Sequence, residues 1–363
     1  MSKLRVGIMF GGRSSEHSIS CATAAGVLGA IDRSKYEVVP IGVTREGVFV
    51  PAVDDASRWA LTDGPLPEVV YAGARLDLAI DGSRRLTEVD SHGRSHDRGV
   101  IDLVFPVLHG PYGEDGTIQG LFELAGLPYV GNGVFASAAG MDKEFSKALF
   151  LQAGIQATPH VVVHKARWMA DPETCIRRMR DIGAFPWFVK PARAGSSMGV
   201  SKVNNIGELG AAVAKAFEQD VKLTVERGLI GREVEVAVLS ARGYKPARVS
   251  VAGEIVVKGR EFYDFDAKYR DEQSVDLIIP AEMLPVQLNT IHDLARRAFE
   301  AIGGRGLARV DFFLTANGFF INEINTMPGF TPLSMYPKLW EASGVTYVEL
   351  IDELIYLALE SPE

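Results

Sequence analysis

The chain has 363 residues, of which 47% are hydrophobic and 23% charged, and its formal net charge is -8. A single hydrophobic core rarely grows beyond about 250–300 residues, so this length predicts two or three domains. The acidic balance argues against a general nucleic-acid binder, because affinity for a phosphate backbone depends on clustered Lys and Arg side chains.

The apolar stretches and the cysteines argue against further classes of protein. No apolar stretch is long enough to span a membrane, and the first one, residues 4–10, is too short for a signal peptide. Cys21 and Cys175 have neither metal-ligand spacing nor a disulfide framework, so both are expected to be buried as small hydrophobic residues. We therefore predict a cytoplasmic protein without a nucleic-acid or membrane partner.

The first part of the chain alternates strand-like and helix-like segments, which predicts an open, mainly parallel sheet with functional loops at its strand ends. Residues 54–99 are less regular and carry polar clusters, so we interpret them as a peripheral insertion. The predicted elements are a strand at 4–10, a turn at 11–15, a helix at 16–30, strands at 36–43 and 101–108, and an amphipathic helix ending near 125.

Near residues 131–133 the chain is expected to leave this domain and to enter a smaller α/β module, after which strands dominate. The module is predicted to contain a helix at 141–152, strands at 160–163, 186–190, 200–203 and 223–226, and helices at about 172–181 and 206–217. The later elements are predicted strands at 233–240, 247–252, 254–258, 308–314 and 319–324, and helices at 284–302 and 345–359.

The first turn, Gly11-Gly-Arg-Ser-Ser-Glu16, follows a strand and opens a helix, which is half of a dinucleotide-binding fingerprint. It lacks the full G-x-G-x-x-G pattern, and no acidic partner for a ribose follows the second strand. An NAD-dependent enzyme is therefore kept only as a third alternative. Glu16 also suits a helix N-terminus for purely structural reasons, because a carboxylate is favourable there. His109 follows an apolar strand, and a histidine in such a position often has only a structural role.

The segment Lys190-Pro-Ala-Arg-Ala-Gly-Ser-Ser-Met-Gly199, called the Gly-Ser loop below, lies between two predicted strands. Its small residues let backbone N–H groups approach a phosphate, and Lys190 adds positive charge. The order differs from the Walker pattern, in which Lys follows the second Gly. We interpret the loop as a phosphate-binding lid; the structural alternative is a mobile hairpin loop. Lys143 taken singly is an ordinary solvated helix charge.

The last two predicted strands form a β-hairpin that indicates a metal and phosphate site. If Gly318 takes the left-handed position of a G1-bulge loop, Asp311 lies opposite Glu323 and Arg309 opposite Asn325, so all four share one face. A strict two-residue turn at Asn317-Gly318 would separate them. Two carboxylates and an amide oxygen suit Mg²⁺ held with nucleotide phosphates, and Arg suits a transferring phosphoryl group. The alternative is an exposed hairpin with ordinary surface charges.

Three further segments carry polar side chains of interest. Glu226 and Glu233 lie where a strand leads into a linker, a position from which hydrogen bonds could hold a purine and a ribose. Residues 264–271 form a charged loop with two aromatic residues that could fold over a site. Directly after the hairpin, Gly329 offers a backbone N–H as an oxyanion donor, and Ser334 offers a hydroxyl near a helix start.

The order of these motifs is that of the ATP-grasp fold, and the chain resembles the D-alanine:D-alanine ligase family over almost its whole length. The resemblance is carried by Gly11-Gly-Arg-Ser-Ser-Glu-His17, His109-Gly-Pro-Tyr-Gly-Glu-Asp-Gly116 and Asn322-Glu-Ile-Asn-Thr-Met-Pro-Gly-Phe-Thr331. It implies an α/β fold, α+β in the C-terminal half. The implied domains are a Rossmann-like substrate domain at 1–137, a central ATP-grasp lid at 138–228 and a C-terminal catalytic domain at 229–363.

The resemblance also implies roles for the matching positions. The implied ATP-binding residues are Lys143, Lys190, Ser196, Ser197, Glu226, Leu229, Glu233, Lys268, Asn322 and Glu323. The implied metal ligands are Asp311, Glu323 and Asn325. The implied substrate-binding residues are Glu16, His109, Lys268, Tyr269, Arg309, Gly329 and Ser334, and the implied catalytic residues are Glu16, Ser196, Tyr269, Arg309 and Gly329.

Within this pattern, Lys143 and Lys190 contact the ATP phosphates, Glu226 with Leu229 frames the adenine, and Glu233 binds the ribose. The implied cofactors are ATP as co-substrate and two Mg²⁺ or Mn²⁺ ions, with K⁺ left open. A homodimer is the implied assembly.

The implied reaction joins two D-alanine molecules. The carboxylate of the first attacks the γ-phosphate of ATP, and the amine of the second then displaces phosphate from the acylphosphate. Glu16, Ser196 and Tyr269 resemble the hydrogen-bonded trio that closes the lid over this site, and Tyr269 favours an amine acceptor over D-lactate. The nearest alternative is another ATP-grasp carboxylate-amine ligase, and a more distant one is a nucleotide-binding sensor without chemistry.

Overall fold

The computed structural model describes residues 3–62, 64–195, 197–243, 245–257 and 275–360. Three predicted site residues, Ser196, Lys268 and Tyr269, lie outside these ranges, as does the predicted loop at 264–271. Among the described residues, no helix is both long and apolar enough to cross a bilayer.

The described residues combine strands and helices along the whole chain, which confirms the predicted α/β class. The strands are β1 (Leu4–Gly11), β2 (Tyr36–Val43), β3 (Phe49–Pro51), β4 (Arg75–Leu78), β5 (Arg85–Val89), β6 (Ser95–Val100), β7 (Leu103–Pro106), β8 (His160–His164), β9 (Trp187–Pro191), β10 (Ser201–Val203), β11 (Lys222–Arg227), β12 (Arg232–Leu239), β13 (Arg248–Val257), β14 (Val275–Ile278), β15 (Leu307–Thr315) and β16 (Gly318–Asn325). The helices are α1 (His17–Ala30), α2 (Ala56–Trp59), α3 (Thr117–Leu124), α4 (Val134–Met141), α5 (Lys143–Gln152), α6 (Lys165–Ala170), α7 (Pro172–Arg180), α8 (Ile206–Gln219), α9 (Pro285–Ala301), α10 (Met335–Ala342) and α11 (Tyr347–Leu359).

The N-terminal sheet has the order β3-β2-β1-β7, with β1 parallel to both β2 and β7. The apolar run of β1 is covered on both faces, because Val6, Ile8 and Phe10 lie in one hydrophobic cluster and Met9, on the opposite face, lies in another. Helix α1 follows directly and packs on this sheet. The predicted strand-turn-helix unit is therefore confirmed, and it places Glu16 at the N-cap of α1.

The segment at 54–99 is more ordered than predicted. It contains the antiparallel sheet β4-β5-β6, which packs Leu76 and Leu86 into the same cluster as Met9 and Ile41. Its backbone also contacts α1, because Val69 N donates a hydrogen bond to Nε2 of His17, the first residue of that helix. The segment looks irregular in the sequence because its polar clusters mark the turns between short strands. The outer faces of these strands are exposed and therefore also polar.

The middle sheet has the order β10-β9-β11-β8, and its three neighbouring pairs are antiparallel. Helices α7 and α8 cover one face and share a core with the sheet that includes Trp187, Val189 and Leu223. The predicted strands of this module are confirmed, and α6 is an additional helix that was not predicted.

The C-terminal sheet has the order β14-β13-β12-β15-β16, and all of its neighbouring pairs are antiparallel. Two strands predicted at 247–252 and 254–258 are one strand, β13. The residue between them, Gly253, was interpreted as a break, but it is the place where α10 packs closely. A Cβ added at Gly253 would lie 2.8 Å from Met335 Sδ.

The N-terminal and C-terminal parts are joined by a buried polar contact and a shared core. Asn132 Nδ2 donates to the carbonyls of Leu307 (2.6 Å) and Thr326 (2.9 Å), and Asn132 Oδ1 accepts from Arg305 N. One hydrophobic cluster contains residues of β1 and of α10 and α11. The proposed boundaries at 137/138 and 228/229 stay a prediction.

Two glycines of α1 provide a test of this packing. A Cβ at Gly26 would lie 2.8 Å from Pro332 Cδ and 2.9 Å from Tyr347 Oη, whereas the nearest atom at Gly29 would be 3.7 Å away. We expect Gly26→Ala to lower the free energy of unfolding by about 1–3 kcal/mol through overpacking. Gly29→Ala should be neutral or stabilising by up to about 1 kcal/mol, because Ala favours a helix. Urea unfolding of both variants measures the difference, and equal effects would contradict the packing described.

Candidate active site

A cavity of about 520 Å³ lies between the middle and the C-terminal sheets. It brings together residues that are far apart in the sequence, from α5, the Gly-Ser loop, β11, β12 and the hairpin. The predicted site residues that line it are Lys143, Lys190, Ser197, Glu226, Leu229, Glu233, Asp311, Asn322, Glu323 and Asn325.

The hairpin formed by β15 and β16 has the predicted register but reaches it differently. Asp311 pairs with Glu323 and Arg309 with Asn325, so their four side chains share one face, as predicted. The loop itself is a two-residue turn at Ala316-Asn317, with Thr315 opposite Gly318, and is neither the G1-bulge loop nor the turn at Asn317-Gly318.

The extra residue lies in the strand, because the register shifts between Asp311 and Phe312, whose partners are Glu323 and Ile321. Asn322 is therefore a β-bulge residue. Gly318 has a φ of 101°, but it does not absorb the extra residue, so that part of the prediction was wrong.

Arg309 is held in a buried ionic group on this face. Its Nε and Nη2 each donate to a carboxylate oxygen of Asp311 at 2.8 Å, and its Nε lies 2.9 Å from Glu235 Oε2. Burial alone would lower the pKa of Arg309, but the carboxylates of Asp311 and Glu235 outweigh burial and raise this pKa well above its usual range. Asn325 Nδ2 donates to Asp311 at 3.0 Å, so the face is ordered by its own contacts.

Two lysines meet one buried carboxylate at the base of the cavity. Lys190 Nζ lies 2.9 Å from Glu226 Oε2 and donates to Asn322 Oδ1 at 3.2 Å. Lys147 Nζ lies 3.3 Å from Glu226 Oε1 and donates to the carbonyl oxygen of Asn322 at 3.0 Å. Burial opposes ionisation of Glu226, but both lysines outweigh it and lower its pKa to about 2. The side chains thus connect β11 with the bulge of β16.

Lys143 lies at the first turn of α5 and points to the hairpin. Its Nζ is 3.3 Å from Glu323 Oε2 and donates to the carbonyl of Ala194 in the Gly-Ser loop at 3.2 Å. The start of α5 is tied to β11 because Lys222 Nζ contacts Asp142 at 2.6 Å and Glu144 at 2.7 Å. This geometry removes the interpretation of Lys143 as a solvated surface charge.

The described part of the Gly-Ser loop approaches Glu16. A Cβ added at Gly195 would lie 3.1 Å from Glu16 Oε2, so the backbone of the loop comes close to this carboxylate. Ser197 has a φ of 56°, a left-handed conformation that is uncommon outside glycine and that is often found at functional sites. The contact of the loop with Glu16 agrees with the predicted trio, but its other members, Ser196 and Tyr269, lie outside the described residues.

His109 lies beside Glu16 in the N-terminal part and is almost fully buried. Its Nε2 contacts Thr23 Oγ1 at 2.9 Å, and its Nδ1 lies 3.6 Å from Glu114 Oε1. Burial lowers the pKa of His109, but the contact with Glu114 outweighs it and raises the pKa above its ordinary value. Glu114 also lines the cavity, and a Cβ at Gly110 would lie 2.7 Å from Glu16 Oε2.

The segment after β16 brings Gly329 and Ser334 together. A Cβ at Gly329 would lie 3.1 Å from Ser334 Oγ, which also accepts a hydrogen bond from Thr331 N at 3.2 Å. Ser334 is the N-cap residue of α10, as expected for a hydroxyl at a helix start. Neither residue is among those that line the cavity described above, so their predicted roles stay predictions.

The side-chain oxygens on the hairpin face suit a hard divalent cation but form only part of a ligand set. Asp311, Glu323 and Asn325 place two carboxylates and one amide on one face at the cavity wall. In the part of the chain that is described, no group of three or more His, Cys, Asp or Glu side chains is placed to hold a metal alone. A set of this kind suits Mg²⁺, which commonly binds through one or two carboxylates together with substrate phosphates.

Three residues that contact predicted site residues were not themselves predicted from the sequence. Lys147 follows Lys143 by four positions and so lies on the same helix face, a spacing that could have identified it. Glu235 follows Glu233 by two positions and shares its strand face, opposite Asp311. Glu114 lies within the quoted His109–Gly116 motif but was given no role.

The chain is similar to known proteins over its whole length. A family model described as "D-ala D-ala ligase N-terminus" matches residues 5–132, and one described as "D-ala D-ala ligase C-terminus" matches residues 149–356. A D-alanine–D-alanine ligase of Arthrobacter sp. (strain FB24) is 52% identical over 362 residues, which are 99% of this chain and 94% of the relative. A D-alanine–D-alanine ligase of Streptomyces avermitilis is 48% identical and covers 98% of this chain and 94% of the relative.

Solved structures of ligases of this kind have a fold similar to that of this chain. The VanG D-Ala:D-Ser ligase of Enterococcus faecalis superposes with a TM-score of 0.83 at 33% identity, covering 99% of this chain and 100% of the other. The D-alanine-D-alanine ligase of Coxiella burnetii superposes with a TM-score of 0.81 at 31% identity, covering 99% of this chain and 94% of the other.

The ion pairs of Glu226 predict a dependence of stability on pH. Because the pKa of Glu226 is about 2 in the folded chain and 4.5 ordinarily, its contribution is present above about pH 4.5 and is lost as the pH falls toward 2. We expect Glu226→Gln to lower the free energy of unfolding by about 3 kcal/mol near neutral pH. The difference from the unmodified protein should shrink in acid.

Urea unfolding at several pH values measures this difference. Glu218→Gln, a substitution at an exposed position of α8, is the matched control and should change stability by less than about 0.5 kcal/mol. A difference between Glu226→Gln and the unmodified protein that is the same at neutral and acid pH would contradict the buried ion pairs.

Proposed function

Because the chain belongs to the D-alanine–D-alanine ligase family, we propose that it joins two D-alanine molecules to D-alanyl-D-alanine while ATP is converted to ADP and phosphate. It has the ATP-grasp fold of that family and acts as a carbon-nitrogen ligase, with a place in the synthesis of peptidoglycan precursors. The observation that carries the proposal is the contact of Lys143 with Glu323, since it joins the phosphate-binding side of the cavity to the metal-binding hairpin.

The nucleotide is proposed to occupy the cavity between the two sheets. Lys143 and Lys190 offset the negative charge of the phosphates. Backbone N–H groups of the Gly-Ser loop, in which Ser197 has a left-handed conformation, cover the phosphates. Glu226 with Leu229 frames the adenine and Glu233 binds the ribose. Ser196 and Lys268 are proposed to join the ATP site from outside the described residues, on the resemblance alone.

Two divalent cations, Mg²⁺ or Mn²⁺, are proposed to be held by Asp311, Glu323 and Asn325 together with phosphate oxygens. When bound, they supply positive charge that offsets the negative charge of the phosphates. Within the chain, Arg309 contributes a planar guanidinium that can hold two oxygens of the transferring phosphoryl group, a geometry that Lys cannot reproduce. A requirement for K⁺ is left to experiment.

The substrate site is proposed to lie beside the Gly-Ser loop. Glu16 accepts hydrogen bonds from the ammonium of the first D-alanine, whose carboxylate attacks the γ-phosphate of ATP. His109 lies next to this position and is oriented by Thr23 and Glu114. Closure of the loop excludes water, which would otherwise hydrolyse the D-alanyl phosphate.

The second half-reaction uses the segment after β16. The amine of the second D-alanine attacks the acylphosphate, and the Gly329 N–H donates to the oxyanion that forms. Ser334 is proposed to bind the carboxylate of the second D-alanine, and Tyr269 and Lys268 to complete this side of the site. We further propose, on the resemblance, a homodimer and three domains with the boundaries 1–137, 138–228 and 229–363. A cytoplasmic location is proposed on the cysteine content.

The choice of acceptor is the main point at which related activities differ. One similar solved structure is that of a D-Ala:D-Ser ligase, so D-serine is a second acceptor to be compared directly. D-lactate is not favoured, because the Tyr269 position resembles that of enzymes with an amine acceptor.

Release of ADP is expected to depend on both D-alanine and Mg²⁺. The assay uses a panel of D- and L-amino acids with D-serine and D-lactate, and mass spectrometry identifies each product. Omission of the metal with a chelator is the control. D-Alanine that gives no ADP above background, while another compound does, would contradict the proposed substrate.

Arg309→Lys tests the role of the guanidinium. We expect kcat/KM to fall by on the order of a hundredfold to a thousandfold, because a Lys ammonium cannot make the paired contact to the phosphoryl group. Arg75→Lys is the matched control, because Arg75 makes the same two-atom contact with Asp77, at 3.1 and 3.2 Å, on the exposed face of β4. It should leave kcat/KM unchanged within about twofold. Equal activity of both variants would remove Arg309 from the site.

A further inference from the structure

We propose that Lys147 is a positioning residue of the nucleotide site, because it keeps Glu226 paired when Lys190 leaves that carboxylate to bind phosphate. This inference rests on the proposed function, in which Lys190 contacts the phosphates of ATP. Lys147 does not line the cavity, so it acts through Glu226 and the bulge rather than by touching the nucleotide.

The first support is where Lys147 lies. Its side chain has no exposed surface, although lysine is rarely buried unless it has a partner. It comes from α5, its carboxylate partner Glu226 comes from β11, and the carbonyl it contacts belongs to Asn322 on β16. One ammonium therefore connects three elements around the base of the cavity.

The second support is that Glu226 has two lysines on two different oxygens. Lys190 is 2.9 Å from Oε2, and Lys147 is 3.3 Å from Oε1. If Lys190 moves to the phosphates, Lys147 can remain where it is and keep the carboxylate compensated. Without Lys147, the departure of Lys190 would leave a buried carboxylate without a cation from either lysine, which is strongly unfavourable.

The third support comes from the neighbouring charges. Burial and the positive charges of Lys190 and Lys143 lower the pKa of Lys147 below its ordinary value. The carboxylate of Glu226 raises this pKa but does not outweigh them. Contact of Lys190 and Lys143 with anionic phosphates offsets the repulsion that these two lysines exert. The ammonium of Lys147 is therefore more favoured when the nucleotide is bound, which is the state in which Glu226 needs it.

The test is binding of ADP in the presence of Mg²⁺, measured by calorimetry on the full chain. We expect Lys147→Met to raise the dissociation constant by about tenfold or more. The double substitution Lys147→Met with Glu226→Gln should recover the affinity of Glu226→Gln alone, because without the carboxylate there is no buried charge for Lys147 to compensate. Lys165→Met, at an exposed position of α6, is the charge-matched control and should bind like the unmodified protein.

A purely structural role predicts a different pattern. If Lys147 only supports packing, the double variant will bind ADP more weakly than Glu226→Gln alone, and the proposal is overturned. Steady-state kinetics separate the effects further, because KM for ATP should rise while KM for D-alanine stays unchanged. If Lys147→Met does not fold, Lys147→Gln removes the charge while keeping a donor for the Asn322 carbonyl, and it is expected to show the same loss and the same recovery.

The proposed function and this inference fail in distinguishable ways. An unmodified protein that binds no ADP with Mg²⁺ would overturn the proposed ATP site and the inference together. An unmodified protein that binds ADP, with Lys147→Met binding equally well, would overturn the inference alone.

Discussion

The geometry of the site depends on one extra residue in β16. A two-residue turn alone would place Asp311 opposite Asn322 and would point Glu323 to the other face of the sheet, because side chains alternate along a strand. The bulge at Asn322 shifts the register by one residue just before the site. It also turns the Asn322 side chain toward Lys190 and its carbonyl toward Lys147. One irregularity thus sets both the hairpin face and the contacts of the two lysines.

The charges of the site compensate one another through pairs that span different elements. Arg309 is held between Asp311 and Glu235, and Glu226 between Lys147 and Lys190. Isolated buried charges are strongly unfavourable, and pairing offsets much of that penalty without adding much net stability. These pairs therefore explain order rather than stability: they hold the side chains that are proposed to bind phosphate and metal in place before a ligand arrives. The phosphates and cations of the proposed reaction would then exchange partners with them.

Much of the fold could be predicted because its strands are buried. The apolar runs of β1, β2 and β11 and the helical spacing of α9 are strong local signals, and each element was found near its predicted position. The weaker cases have local physical causes. The strands at 75–100 are short and expose one face, so polar residues at the exposed positions weaken the strand signal in the sequence. Gly253 was interpreted as a break because close packing by Met335 is not visible in a local window. The bulge at Asn322 was assigned to Gly318, since a glycine in a turn is the stronger sequence signal.

The sequence by itself determined which residue types are available: the Gly-Ser loop, Lys143 and Lys190, and the acidic residues of the hairpin, whose order along the chain indicated the family. These signals are local patterns of charge, glycine and alternation. Only the tertiary structure decided that Lys147, Glu235 and Glu114 belong to the site and that the extra residue lies at Asn322. The physical reason is that burial and pairing of charges depend on contacts between elements far apart in the chain, and no local pattern specifies those contacts.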